Sequence, residues 1–561
     1  MPSNASATDY YVHADIGNNS NSGQAPGDAF QTLTHALRQL SPGDTLYLRS
    51  GTYRDNQIWM SSAKYKSGTA SQPITIRPYL TEKPLISTPG DITIADLSWW
   101  VFEDLVFQNS GTIKLGNPDG TILPVTDRCV SYAEDITIRR NRFQHGTKNG
   151  ITIKCARRVD IQDNLFDNLR SRVEGRDTDA IRFLYYAKDI VISGNHFSDM
   201  GGDGILFVNS DGAWHGDILI ADNEFRIIHP YTYRDTNGDT VPADLQPFDS
   251  VGESAIDIKQ GPGPIQIERN TFHGFRMVLP EQDASGSQGI AVGVHMNGSG
   301  VTLAKNHFYD NVGHIVIIRG ITAPSDQPIR DTVIRNNIFE DVIHPGGIYE
   351  DYPWRETALR IAQVRGVEVL NNTFFQSPGN EKELLFLLGI SDVSLLNNTF
   401  QNGTITTQWE LPSGNWNNSF GVIANNNAWS GISGEINNNL IGIYDITTDN
   451  LMLDWSTWTP QEGSPLIDAG TPVGIADDIN DAPISGLGPD IGAGEYQHSV
   501  QNEDIQAPSA SITNSTGGTN SSSGSSGNGG GCTIHTSARI DPVWLLIFLI
   551  ASARYVRTRY C

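Results

Sequence analysis

Six cations stand at alternate positions of short strand-like segments: Lys154 in GITIK, Arg182 in AIRF, Lys259 in AIDIK, His295 in VGVH, Arg319 in IVIIR and Arg360 in ALRI. In an extended strand successive side chains point to opposite sides, so the apolar residues of these segments go inward and the cations go outward. Lys259 and His295 each precede a downstream Asn by 11 residues, which gives them equivalent places in successive structural repeats. Neighbouring strands lie roughly 4.8 Å apart, so the cations form a stripe on one sheet face. Cations and a proton acceptor at that spacing suit removal of a proton next to a carboxylate. One cation neutralises the carboxylate and acidifies the proton, and a base takes it. His295 titrates near neutrality and is a base on paper. Asp257 shares a face with Lys259 and favours its protonated form, which suits charge neutralisation. Arg319 suits a bidentate carboxylate clamp. On a surface without such a role, each cation would simply pair with a neighbouring acid.

Acidic residues cluster in the same repeats: Asp177, Asp179, Asp203, Glu253 and Asp257. They read as Ca²⁺ ligands, as the acid and base of a glycoside hydrolase, or as turn aspartates between repeats. Asp235, Asn237 and Asp239, with Asp244 beyond, place oxygens at alternate positions around Gly238, as in a Ca²⁺ loop. Thr240 stands where such a loop has Gly, and Gln246 where it has Glu. Tyr185, Tyr186, Trp214 and Trp354 are candidates for stacking on sugar rings. Lys154, Arg182 and Arg360, with Tyr185 and Trp214, form the predicted substrate-binding set.

The elements that must hold these residues come from a repeat. Asn-x-Phe recurs at Asn141, Asn164, Asn195, Asn223, Asn270, Asn306, Asn337, Asn372 and Asn398, with degenerate copies at Asn427-Ala428-Trp429 and Asn439-Leu440. Most intervals run from 23 to 36 residues, and one is 47. Each repeat carries a short alternating strand, a variable loop, and a second strand leading into the Asn. This pattern predicts an all-β, right-handed single-stranded parallel β-helix. The Asn sits in a left-handed turn and stacks as a hydrogen-bonded ladder, and the Phe stacks inside. A propeller blade needs four strands and a longer repeat.

Ahead of the repeats, Tyr10–Ala14 reads as a strand. Phe30, Leu33, Leu37 and Leu40 lie on one face of a short helix, stopped at Ser41-Pro42-Gly43-Asp44, that caps the open solenoid end. The predicted organisation is residues 1–44 as strand and cap, 45–500 as β-helix, 501–531 as a Ser/Gly/Asn linker, and 532–561 as a C-terminal segment. In that segment Val543–Ala553 is apolar but only 11 residues long, short of the roughly 20 a spanning helix needs. Hydrophobic residues make up 38% of the 561 and the formal net charge is −25. That charge excludes nucleic acid as a partner and means that an acidic polymer needs a local basic groove or bridging Ca²⁺. Cys129 and Cys155 can pair or stand as separate buried thiols.

Tyr11-Val12 with Gly17-Asn18-Asn19, Pro42-Gly43-Asp44 with Gly51-Thr52-Tyr53, and Gly68-Thr69 with Pro73-Ile74-Thr75-Ile76 resemble the start of pectin-lyase-like β-helix proteins. They are nearest to family-9 pectate lyases and related uncharacterised β-helix proteins. The resemblance implies a polysaccharide lyase with Lys259 at the base position, and it continues through the Asn-x-Phe coils to about residue 440. Ser464–Tyr496 resembles the closing motif of surface β-helix proteins called choice-of-anchor Q. The tail, with Gly529–Cys532 before the apolar stretch and Arg554, Arg557 and Arg559 after it, resembles Gram-negative GlyGly-CTERM sorting signals. These likenesses imply an exported, monomeric surface protein, held to a membrane by its tail before processing, whose partner is an extracellular acidic polysaccharide. Met1–Thr8 carries neither a basic nor an apolar signal segment, so export implies a leader upstream. Non-catalytic glycan binding and glycoside hydrolysis remain the alternative readings.

Overall fold

The computed structural model describes residues 7–118, 129–170, 178–208, 213–227, 253–261, 263–275, 289–313, 315–320, 329–343, 357–379, 382–408, 421–434, 436 and 440–497. Within residues 1–499, which form one compact unit, 37 of the described strands join in one continuous ladder. Its pairings are parallel and connect each coil to the next, and the fold is a right-handed parallel β-helix. The predicted linker and tail lie outside the described residues. Among the described residues no helix is long and apolar enough to cross a membrane.

Each coil has three faces. The first carries strands such as Ile205–Phe207 and Val316–Arg319, the second Ile265–Glu268 and Thr332–Arg335, and the third the short strand that contains the Phe. Some strands bend across a corner: Ile151–Gln162 and Ile181–Ser193 each serve the first and second faces, with a register shift between Ile153 and Cys155. The corners are turned by residues at positive φ. Between the second and third faces these are Arg140, Asp163, Gly194, Asp222, Arg269, Lys305, Asn336, Asn371, Asn397 and Asn426. Each stands immediately before the ladder Asn, so it is this residue, and not the Asn itself, that takes the left-handed conformation. The expectation from sequence was one residue out. The Asn is reserved for another task, for which ordinary backbone angles serve.

That task is satisfying the corner. The backbone N–H of Asn141 donates to Oδ1 of Asn164 at 2.9 Å, and its Nδ2 donates to the same oxygen at 3.0 Å and to the Phe102 carbonyl at 2.9 Å. The unit repeats through Asn195, Asn223, Asn270, Asn306, Asn337, Asn372, Asn398 and Asn427. It ends where Asp445 Oδ1 accepts the Asn427 N–H at 2.9 Å. Asn439, taken from sequence as a further copy, lies outside the described residues. Beside the ladder the Phe rings stack from Phe107 to Phe400 and on to Trp429, with centroids 4.4 to 5.0 Å apart. Burying each ring contributes about 2–3 kcal/mol, and its stack adds roughly 1 kcal/mol.

The N-terminal strand Asp9–Val12 pairs in register with Thr45–Leu48, so it is the first rung of the solenoid and no separate element. The helix is short, Leu33–Leu37, capped by Thr32. It buries Leu33 and Leu37, with Phe30 and Leu40 flanking it, against the first coil. Cys129 and Cys155 are disulfide-bonded, 5.6 Å apart at Cα. Closing that 26-residue separation contributes about 3 kcal/mol through the unfolded chain.

The segment 464–496 runs back along the outside of the ladder corner. Gly492 N donates to Asn397 O, Ala493 N to Thr373 Oγ1, and Asn426 Nδ2 to Ala469 O. Lys305, almost fully buried, is held by Asp477 at 2.8 Å and by Asp481. The acids of this segment act as backbone acceptors. Asp478 takes the N–H groups of Asn480, Ala482 and Glu495, Asp490 those of Asp468 and Tyr496, and Glu495 those of Ser485 and Asp490.

Burial, reinforced by Asp490 and Asp478, pushes the Glu495 carboxyl up to about 7. A carboxyl raised above its unfolded value stabilises the fold below the unfolded value, and that contribution is lost as pH rises through the folded one. The wild-type thermal midpoint therefore falls between pH 5 and 8, by an amount corresponding to roughly 3 kcal/mol, and Glu495→Gln falls less over the same range. Asn270→Ala strips both ladder bonds from buried neighbours and lowers stability by about 2–4 kcal/mol, read from the denaturant midpoint.

Candidate functional site

The register of the first face places side chains from successive coils in columns. One outward column runs Trp59, Thr93, Lys114, Thr152, Arg182, Leu206, Asp257, Gly293, Ile317, Arg360 and Phe386. The position two residues further along each strand holds Lys154, Lys259, His295 and Arg319. The six cations read from sequence as one stripe therefore divide between two columns, Arg182 and Arg360 in the first and the other four in the second.

The two columns meet at Asp257. Its carboxylate is 3% exposed and accepts from Lys259 Nζ at 2.9 Å and from His295 Nε2. A carboxylate can only accept, so the Nε2–H of His295 is the donor to Asp257. The glycine in VGVH makes this possible. His295 must lean back over the neighbouring column to reach Asp257, and a Cβ at Gly293 would lie 2.9 Å from His295 Nε2 and 3.6 Å from Asp257 Oδ1. Asp257, Asp203 and Glu253 surround Lys259 and hold its ammonium well above the usual lysine range, against the desolvation that works to lower it. Lys259 is thus a fixed cation.

Arg319 stands on the next coil, paired in register with His295. It is half-buried, and among the described residues it has no acidic partner; burial alone acts on it, and acts against its charge. Lys154 is likewise half-buried without an ion-pair partner among the described residues. Its pKa is lowered by burial and then by Lys114. Arg182 is held by Asp179 at 3.3 Å. The Arg360 guanidinium lies 4.8 Å from the centre of the Phe386 ring.

Asp179, Asp203 and Glu253 occupy successive turns leading into the first face. Asp203 N donates to Asp179 Oδ1 at 3.2 Å, and Glu253 N donates to Gly202 O. Asp203 is fully buried, and among the described residues neither of its carboxyl oxygens finds a hydrogen-bond donor. Burial, together with Glu253, Asp257 and Asp179, raises its pKa well above the ordinary carboxylate value. Among the described residues no three His, Cys, Asp or Glu side chains are arranged to hold a metal ion. Of these acids, Asp179 is paired with Arg182, and Asp257 with Lys259 and His295. Asp177, Asp235, Asn237, Asp239, Asp244 and Trp354 lie outside the described residues. Trp214 stacks on Tyr186 at 5.3 Å, at the corner with the second face, while Tyr185 sits half-buried where the strand bends.

Gly293 and Trp59 were not among the residues singled out from sequence. Both were legible there. Gly293 is a gap at an outward slot beside His295, and Trp59 is an outward ring between the inward Ile58 and Met60. In Gly293→Ala the added methyl displaces the His295 ring from Asp257. Nitrogen NMR of the imidazole then shows loss of the fixed Nε2–H tautomer, where the wild type keeps it.

The family described as "Right handed beta helix region" matches residues 128–229 and 244–400. No curated protein matches the chain. Similar solved structures include the GH136 lacto-N-biosidase from Eubacterium ramulus, 13% identical over 67% of this chain and 66% of that one, TM-score 0.37. XylC in complex with xylose is 14% identical over 87% of this chain and 98% of that one, TM-score 0.46. Pectate lyase Pel9A is 13% identical over 88% and 97%, TM-score 0.33. The chain spans just under two thirds of the lacto-N-biosidase. At these identities the likeness is one of fold.

Proposed function

We propose that the protein is a polysaccharide lyase that cleaves a uronate-containing polymer by β-elimination on the first face. The observation that carries this reading is the Asp257–His295 pair with Arg319 one coil beyond it, which has no acidic partner among the described residues. Arg319 takes the uronate carboxylate in a bidentate contact, which neutralises it and acidifies the proton on C5. His295 Nδ1 receives that proton, and Asp257 holds the ring and stabilises the imidazolium. The C5–H electrons form the C4–C5 double bond, the C4–O bond breaks, and the departing oxygen is protonated from water. Lys259 stays charged, which removes it as the base and leaves it to stabilise the charge that develops on the carboxylate.

The hydrolase alternative loses support because Asp203, an acid of the cluster, is fully buried and out of reach of a substrate. Non-catalytic binding keeps one specific support, since Lys259 and His295 are both tied to Asp257. Calcium enters the proposal only through Asp177, Asp235, Asn237, Asp239 and Asp244, and no step above uses it. We further propose an exported, monomeric protein of the cell surface, its tail holding it to a membrane before processing. The Cys129–Cys155 disulfide fits an oxidising compartment.

The test is the ultraviolet absorbance of unsaturated uronate product on pectate, alginate and glycosaminoglycans, with calcium and with chelator. His295→Ala lowers kcat at least about 100-fold, Arg319→Ala lowers kcat and raises KM, and Asp257→Asn lowers kcat with the fold intact. A flat trace on every polymer, with retention in a polysaccharide gel, would sink the lyase and leave a binding protein. Activity that vanishes with chelator would move the site toward the acidic loops.

A further inference from the structure

The first face continues well beyond the reacting centre, and its N-terminal half holds two groups that the elimination does not use. Lys154 stands in the same outward column as Lys259, His295 and Arg319, three coils before Lys259. It is half-buried and lacks an ion-pair partner among the described residues. Its neighbours differ in this respect: Lys114 is tied to Asp91, and Lys148 lies 3.8 Å from the same carboxylate. Three coils further on, at the start of the other column, Trp59 is 44% exposed between the fully buried Ile58 and Met60. A cation left half-desolvated without a partner and an indole ring left in water are both unfavourable by themselves. Each is relieved by a ligand that brings a carboxylate to one and a flat apolar ring face to the other.

Coil spacing decides whether one ligand can serve both. From the Trp59 strand to the Lys259 strand is six coil steps, roughly 29 Å at about 4.8 Å each, with Lys154 halfway. One step is close to the length of one sugar unit in an extended chain. The occupant that matches is therefore the same polymer, extended along the solenoid axis.

We propose a remote binding subsite at the N-terminal end of the first face, in which Lys154 takes a uronate carboxylate and Trp59 stacks on a pyranose ring of the chain being cleaved. This rests on the lyase reading and adds to it an interior mode of attack, since several sugars lie on one side of the broken bond. Long chains are held in preference to short ones.

The experiment compares oligouronates of three to about nine units with the polymer, on wild type, Trp59→Ala, Trp59→Tyr and Lys154→Ala. In the wild type kcat/KM climbs with chain length until roughly six units lie on the N-terminal side. Trp59→Ala and Lys154→Ala each lower it by about 10-fold on long chains, Trp59→Ala leaves the trimer unchanged, and Trp59→Tyr recovers most of the loss. Equal loss at every length, or none, overturns the subsite while the lyase stands. If the wild type cleaves nothing, gel retention on the same polymers decides. Retention weakened in both alanine variants keeps the subsite on a binding protein, whereas retention unchanged in them, or absent from the wild type, overturns it.

Discussion

Everything in this molecule depends on one constraint, that each coil must place its side chains directly above those of the coil before. The asparagine ladder imposes it. One carboxamide oxygen accepts both the backbone N–H and the side-chain N–H of the preceding Asn, so a coil that slipped by one residue would leave two buried donors unpaired and turn every inward side chain outward. The stacked phenylalanines reinforce the same register from inside. Where the ladder ends it closes on Asp445, whose other oxygen holds the Trp429 ring nitrogen at 2.9 Å. The last ring of the stack and the last rung of the ladder are thus fixed by one carboxylate.

Register of this kind makes a surface on which chemistry can be arranged. His295, Arg319 and Lys259 come from different coils and share no local sequence, yet they fall in one column because their strands are in step. Asp257 joins that column to its neighbour. A loop could bring such groups together only by ordering each one at an entropic cost. Here the strands are ordered already by the interior, and the outer face inherits their precision.

The fold was legible because its cause is periodic. Asn-x-Phe, the alternation of the strands and the variable loops between them all point to stacked coils. The turn residue was misplaced by one position because Asn is a common left-handed residue and nothing in a single repeat says that its side chain is wanted for the ladder. At the site, the outward slots followed from alternation, but their division into two columns did not. That division depends on which residues of successive strands pair, and alternation alone leaves two outward slots per strand: Arg360 pairs with Ile317 and not with Arg319. The His295–Asp257 contact was hidden for a related reason, since it joins residues 38 apart and depends on a missing side chain at Gly293. Cysteine pairing was undecided in the sequence and is settled by adjacency in space.

The returning segment 464–496 has a consequence for how the molecule yields to force or heat. A bare stack of coils behaves as a one-dimensional array, in which the terminal repeat can peel away while the rest stands. This segment touches coils at Lys305, Asn336, Thr373, Asn397 and Asn426. The C-terminal coils therefore cannot unzip one at a time, because the same strand of chain laces them all. They come apart as a block or not at all, and gradual fraying is confined to the other end, where only the short helix stands guard.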